Sequence, residues 1–349
     1  MFNQFINKIP ETHFGLRSTS ILKENVSEKI LLIYSKRLED NESLAKIKEL
    51  LSENQIEEII FIKNNLEEIE KLEIKKPSLI IAIGGGNIMD FAKLLRIKID
   101  NQELNLTEIN NFSKIKKKTK LILIPTTPST GSQITPVAIT HNKEKSIKHI
   151  IVNRANIPNK AILAPQLLSS IPFNLMQEFI CDIFSHSVEA YLSRLSNEFV
   201  KILARENILS LVNNYKKYIE NKEDLKVLDN IAINGHIGGI CQGNAYVGAM
   251  HSIAHQIEVC SNIRHSEALM HLIKSVLLFY KNETQNEIYD FFIQEFDKLN
   301  IKFDKSILEN IDREEIIKRV LKDPVIKTSP IIFNEEKIRS LIEWIWTKK

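Results

Sequence analysis

The chain has 349 residues, 43% of them hydrophobic, and a formal net charge of +3. That length and apolar content supply a sizeable core for one large domain or two packed ones. The near balance of charge over a Lys- and Glu-rich surface excludes a whole-molecule field for nucleic acid or an anionic membrane.

Short, nearly all-apolar runs at 30–34 (ILLIY), 59–62 (IIFI), 79–83 (LIIAI) and 121–124 (LILI) predict strands buried on both faces of a parallel sheet. The stretches 43–53 and 66–75 between them read as amphipathic helices. Strand, helix and strand in repetition predict a doubly wound α/β layer. Pro158, Pro165 and Pro172 punctuate a transition, and from about Phe173 long helical patterns take over at 175–195, 198–220 and 225–257. A last helix is expected at 338–346, its two tryptophans serving as packing groups. The expected fold is thus an α/β N-terminal domain over 1–165, with a mainly parallel nucleotide-binding sheet, followed by an all-α C-terminal domain over 166–349.

The start, MFNQFINKIPETHF, holds no apolar stretch long enough for a signal peptide, and no segment approaches the roughly 20 apolar residues of a membrane span. Cys181, Cys241 and Cys260 are scattered without paired spacing, which points to a reducing compartment. A cytoplasmic location is expected.

Gly84, Gly85, Gly86 and Asn87 follow LIIAI directly and lead into a helical pattern. Glycines there let a phosphate approach the backbone, and the helix N-terminus offers unpaired N–H groups. The same residues also suit a plain tight turn, and they do not form a GxGxxG fingerprint. After LILI comes PTTPSTGSQIT, a hydroxyl-rich loop suited either to phosphate and ribose contacts or to side-chain bonds with its own backbone. Both turns leave the ends of buried strands, where ligands bind in open α/β sheets.

Asp182 and His186 lie four apart in FICDIFSHSVEAYL, as do His251 and His255 in GAMHSIAHQIE. Each pair therefore projects from one helix face. His265 follows a helix break expected near Ser261 and Asn262, and His271 lies beyond it. Buried imidazoles and carboxylates need partners, either in the core or around a shared divalent cation. Such a donor set suits Fe(II), Zn(II) or a related first-row ion.

Taken in order, these motifs resemble those of the iron-containing alcohol dehydrogenase family. GGGNIMDFAK is similar to its GGGSxxDxxK turn, and PTTPSTGSQIT to its PTTxGTGSExT loop. CDIFSHSVEAY is similar to its DAxxHxxE helix, and NAYVGAMHSIAH with His265 to its NxxxGxxHxxxH…H segment. The likeness runs from about Phe14 to Leu278. It implies that Asp182, His186, His251 and His265 hold the metal and that His255 assists proton transfer near the nicotinamide. It also implies that Gly84, Gly85, Gly86, Asn87 and Asp90 form the pyrophosphate turn. Thr126, Thr127, Thr130, Thr135 and Lys148 would contact adenine, ribose and nicotinamide. The chain departs from the pattern at Arg17, Asn87, Ser129 and Gln133, and at Arg264 and Ser266 on either side of His265.

The function so implied is hydride transfer between NAD(P)H and a small aldehyde or alcohol, with Fe(II), or alternatively Zn(II), polarising the substrate oxygen. Where NAD-selective relatives place an aspartate after the first strand, this chain has Ser35, followed by Lys36 and Arg37. Loss of a carboxylate beside two cations favours NADP(H) over NAD(H). Arg264 beside a ligand raises the option of an anionic substrate. A homo-oligomer is expected, with neither nucleic acid nor membrane as partner. The competing reading is a sugar-phosphate cyclase of the dehydroquinate synthase kind, since HSEA at 265–268 is similar to that family's HGEA segment.

Overall fold

The computed structural model describes residues 8–25, 28–109, 114–142, 147–302 and 305–347, the side chains of 141, 142, 147, 148 and 305 excepted. It divides into two compact units, Ile6–Ser170 with Lys222–Gly243, and Ile171–Asn221 with Asn244–Lys349.

In the first unit the chain runs β1 (Glu11–Phe14), β2 (Lys29–Ser35), α1 (Glu42–Leu50), β3 (Gln55–Phe61), α2 (Leu66–Lys71), β4 (Leu79–Gly84) and α3 (Gly86–Asp100). It continues through β5 (Lys120–Pro125), β6 (Val137–Asn142), β7 (Ile147–Val152) and β8 (Lys160–Leu163). Six strands form one parallel sheet in the order β1-β8-β5-β4-β2-β3, while β6 and β7 make a separate antiparallel ribbon. The central strands β2, β4 and β5 are buried on both sides because they are almost entirely apolar and their side chains alternate faces. Leu31, Ile33, Ile80, Ala82, Leu121 and Leu123 pack with Met89, Ala92 and Leu95 of α3. Ile30, Leu32, Ile81, Ile83, Ile122 and Ile124 face the other way, onto Leu44 and Ile47 of α1. Each of the buried Leu, Ile and Met side chains contributes roughly 1.5–3 kcal/mol through burial.

The run at 59–62 departs from expectation. It belongs to β3, an edge strand whose side chains are half-buried or exposed, and Ile62 just beyond it is 93% exposed. An edge strand lacks a second neighbour, so a local apolar run does not imply burial on both faces.

The helical elements are α4 (Phe173–Leu192), α5 (Glu198–Glu220), α6 (Leu225–Ala245), α7 (Ala249–Cys260), α8 (His265–Thr284), α9 (Ile288–Asp297), α10 (Arg313–Lys322) and α11 (Glu335–Thr347). The indole N–H groups of Trp344 and Trp346 in α11 donate to the carbonyls of Ser275 and Leu308, the packing role expected of them. No helix among the described residues is long and apolar enough to cross a membrane.

Most of α6 groups with the α/β unit. There the Asp229 carboxylate accepts from the Gly15 N–H, and the Gln242 amide donates to the Thr130 carbonyl. Gly131 is left-handed (φ +62), and a Cβ on it would stand 2.6 Å from the Gly239 Cα. Only glycine permits that approach of loop to helix.

The expected single segment 225–257 is in fact two helices. Tyr246 takes a left-handed φ of 63° and ends α6, and α7 restarts after Gly248. Gly248 has no side chain to cap the new helix. Glu189 of α4 supplies the cap, its Oε1 accepting from the Met250 N–H at 2.7 Å. Apolar periodicity alone does not register such a break.

Candidate metal centre and nucleotide turns

Asp182 and His186 sit one turn apart in the middle of α4, both 4% exposed. His251 lies in the first turn of α7, His255 one turn further on, and His265 is the first residue of α8. Because these three helices pack together, residues far apart in sequence converge. The ligand atoms of Asp182, His186 and His251 lie within 4.8 Å of one another. Asp182 Oδ1 is 3.4 Å from His186 Nε2 and 3.5 Å from His251 Nε2. The His265 ring centroid is 5.1 Å from that of His251 and 4.8 Å from that of His255. His271 is buried further along α8.

Two buried atoms at the focus, Asp182 Oδ1 and His251 Nε2, have no hydrogen-bond partner. Leaving such atoms unpaired costs about 1–3 kcal/mol each, so the arrangement fits a cation that would satisfy them together. Burial would raise the Asp182 carboxyl, but the surrounding imidazoles hold it far below the usual range. Burial lowers His186 to about 4 despite Asp182, leaving a neutral imidazole suited to ligation. Burial opposes charge on His251 too, but the carboxylates of Asp182 and Glu189 prevail and raise it to about 9.

Sequence reasoning gave no role to Glu189 and did not name Asp323, the carboxylates beside His251 and His255. Glu189, three residues after His186, accepts from the Met250 N–H through Oε1 and lies 2.6 Å from His251 Nδ1 through Oε2. With Nδ1 so engaged, Nε2 is turned to the focus. Asp323, far along the chain, lies 3.8 Å from His255 Nδ1 and accepts from Ser252 Oγ at 3.0 Å and from the Gln256 amide at 3.3 Å. Glu189 could have been found from its i,i+3 spacing to His186, whereas Asp323 stands in a region without any motif. Arg264 is 59% exposed at its side chain and pairs with Glu178 and Glu267.

In the α/β unit the two polar turns adjoin. β2 and β4 are neighbours, yet the chain leaves β2 for β3 on one side and returns to β4 on the other, so their carboxyl ends flank a topological switch point. Ser35 ends β2 and Gly84 ends β4. The Thr126 N–H donates to the Gly84 carbonyl at 3.0 Å. A Cβ on Gly86 would stand 3.0 Å from Thr130 Cγ2, and one on Gly85 would lie 3.5 Å from Thr127 Oγ1. Asn87 is exposed in the first turn of α3, and Thr127 Oγ1 is buried without a partner. Asp90 and Thr135 are buried.

The Asp90 carboxylate is an internal tie, accepting from Ser132 Oγ at 2.5 Å, from the Ile139 N–H at 3.0 Å and from the Lys93 ammonium at 3.2 Å. Ser35 Oγ accepts from the Arg37 N–H at 3.3 Å, and Lys36 and Arg37 are exposed. Lys148 stands in β7, with its side chain outside the described residues.

Residues 10–165 match the family described as "Iron-containing alcohol dehydrogenase", and residues 180–293 match "Fe-containing alcohol dehydrogenase family, C-terminal". The chain is 29% identical over 225 residues to 4-hydroxybutyrate dehydrogenase of Clostridium kluyveri, a match covering 64% of this chain and 60% of that one. It is 27% identical over 289 residues to the bifunctional aldehyde-alcohol dehydrogenase AdhE of Escherichia coli, covering 78% of this chain and 30% of that one. It therefore spans less than two thirds of the length of these relatives. The solved iron-containing alcohol dehydrogenase of Thermococcus thioreducens shares its fold, with a TM-score of 0.85 and 22% identity over 99% of this chain and 100% of that one. On these matches and the ordered motifs behind them, the chain belongs to the iron-containing alcohol dehydrogenase family.

Proposed function

We propose that the protein is an oxidoreductase that transfers a hydride between NAD(P)H and a small aldehyde or alcohol. The observation that carries this is the buried convergence of Asp182, His186 and His251 with ligand atoms left unpaired, in a chain of this family. Asp182, His186, His251 and His265 would hold a divalent ion, Fe(II) in the first instance and Zn(II) as the alternative. Such an ion supplies Lewis-acid polarisation of the substrate oxygen.

The protein's own groups do the rest. Glu189 fixes the tautomer and direction of the His251 ring. His255, 3.8 Å from Asp323, would carry a proton between the substrate oxygen and solvent. The turns at 84–87 and 126–135, with Asp90 as their tie, would receive the dinucleotide, and Lys148 would add a charge to it.

NADP(H) is favoured over NAD(H) because Lys36 and Arg37 are exposed beyond Ser35, beside the switch point. Comparing kcat/KM for NADPH and NADH tests this, and a clear NADH preference overturns it. An anionic substrate would draw on Arg264, whose guanidinium is already shared by two carboxylates. Free Cys181, Cys241 and Cys260 support a cytoplasmic setting. The homo-oligomer expected from the family is tested by native mass.

The central experiment is metal analysis of anaerobically purified protein, followed by an NADPH-oxidation screen of small aldehydes. Carboxylate-bearing aldehydes belong in it because the Clostridium kluyveri relative is named for 4-hydroxybutyrate. Stoichiometric cofactor oxidation is expected. A cyclase would return its cofactor unchanged. Metal-loaded protein inert across the panel would refute the proposal.

A further inference from the structure

The polar residues of α4 form one stripe. Glu178, Asp182, His186 and Glu189 are spaced four, four and three apart, all buried and on one face. The inner two are ligand candidates. At one end Glu189 holds His251. At the other, Glu178 stands one turn before Asp182 with a carboxylate that burial alone would make costly.

That carboxylate is engaged by the two residues flanking His265. Arg264 Nε donates to Oε2 at 3.0 Å, Arg264 Nη2 donates to Oε1 at 2.5 Å, and Ser266 Oγ donates to Oε2 at 2.9 Å. The fork is bidentate, the geometry in which an Arg–carboxylate pair has most directional force. Ser266 is itself buried.

We propose that Glu178, Arg264 and Ser266 form a clamp that seats His265 beside His251 and so sets metal affinity. His265 is the first residue of α8, preceded by a non-helical stretch, so its imidazole goes where that junction is held. The clamp grips the residue before and the residue after it, and ties both to the helix carrying Asp182 and His186. These are positioning residues that act through His265. The inference rests on the metal reading above and adds to it the element that places the fourth ligand.

The test is Zn(II) affinity by chelator competition on the full-length apo-protein, for wild type, Asp182→Ala, Glu178→Gln, Arg264→Ala, Arg264→Lys and Ser266→Ala. Apo-protein melting is measured in parallel. Glu178→Gln and Arg264→Ala should weaken Zn(II) about tenfold or more, in the range of changes behind a ligand. Ser266→Ala should do so by less, and Arg264→Lys should recover part of the loss. Asp297→Asn, which breaks an exposed pair with Lys274, is the control that leaves Zn(II) affinity unchanged.

Wild-type affinity in both Arg264→Ala and Ser266→Ala overturns the clamp, as does a loss confined to apo-protein melting. Those variants alter partly exposed or small side chains, so they keep the test alive if Glu178→Gln fails to fold. If wild type and Asp182→Ala bind Zn(II) alike, the metal reading itself falls and the clamp with it.

Discussion

The turns at 84–87 and 126–135 present backbone, whereas the cluster on α4, α7 and α8 presents side chains. In the turns, the decisive feature is the missing Cβ of Gly86, which leaves room against Thr130. In the cluster, it is the identity of a few side chains and of the carboxylates behind them. A backbone site tolerates exchange of most neighbouring side chains but not added volume at a contact. A side-chain site tolerates volume at its margins but not loss of a donor.

That contrast can be broken by experiment, the largest effect first. Asp182→Ala should reduce metal content to background and turnover by about a thousandfold or more, while dinucleotide binding by fluorescence titration stays within a few fold. Equal loss of both would show that the two sites are not separable.

Glu189→Gln comes next. It frees the Nδ1 side of His251 and should weaken metal affinity by about 10–100-fold, again without moving dinucleotide affinity. Gly86→Val is the mirror experiment. Its branched side chain must displace Thr130, so we expect dinucleotide affinity to fall about tenfold with metal content unchanged. Unchanged dinucleotide affinity would remove the turn from the site.

The smallest effect is a pH dependence that arises within the helical cluster. In metal-free protein His251 is raised to about 9, above its unfolded value of about 6.5. Its contribution is therefore complete below pH ~6.5 and is lost as pH rises toward ~9, at most about 3 kcal/mol. His186, lowered to about 4, acts in the other window, contributing above pH ~6.5 and losing that as pH falls toward ~4. Melting of metal-free protein between pH 6.5 and 9 should decline in wild type and flatten in His251→Gln. A slope that persists in the variant would place its origin elsewhere.

Much of this molecule was legible in sequence because its signals are local. Four apolar runs marked β2, β3, β4 and β5, and for β2, β4 and β5 the reason is that a strand covered on both faces is apolar nearly throughout. The i,i+4 pairs marked which side chains share a helix face, and ordered motifs named the family and its implied ligands. The edge position of β3 was not legible, because burial depends on neighbours that the run does not contain. The break at Tyr246 was not either, because apolar periodicity continues across it while the cap comes from Glu189 on another helix.

The order and type of residues already carry the chemistry available to this protein: a glycine turn, a hydroxyl loop, one carboxylate and several imidazoles in helical register. Which partners those groups meet depends instead on strand order and helix packing. Strand order set Ser35 and Gly84 on either side of a switch point. Packing of α4, α7 and α8 brought Asp182 to His251 and aimed Glu178 at the residues around His265. Hydrogen bonds and ion pairs act over a few ångströms, so groups distant in sequence acquire their roles only when the chain's packing brings them within that reach.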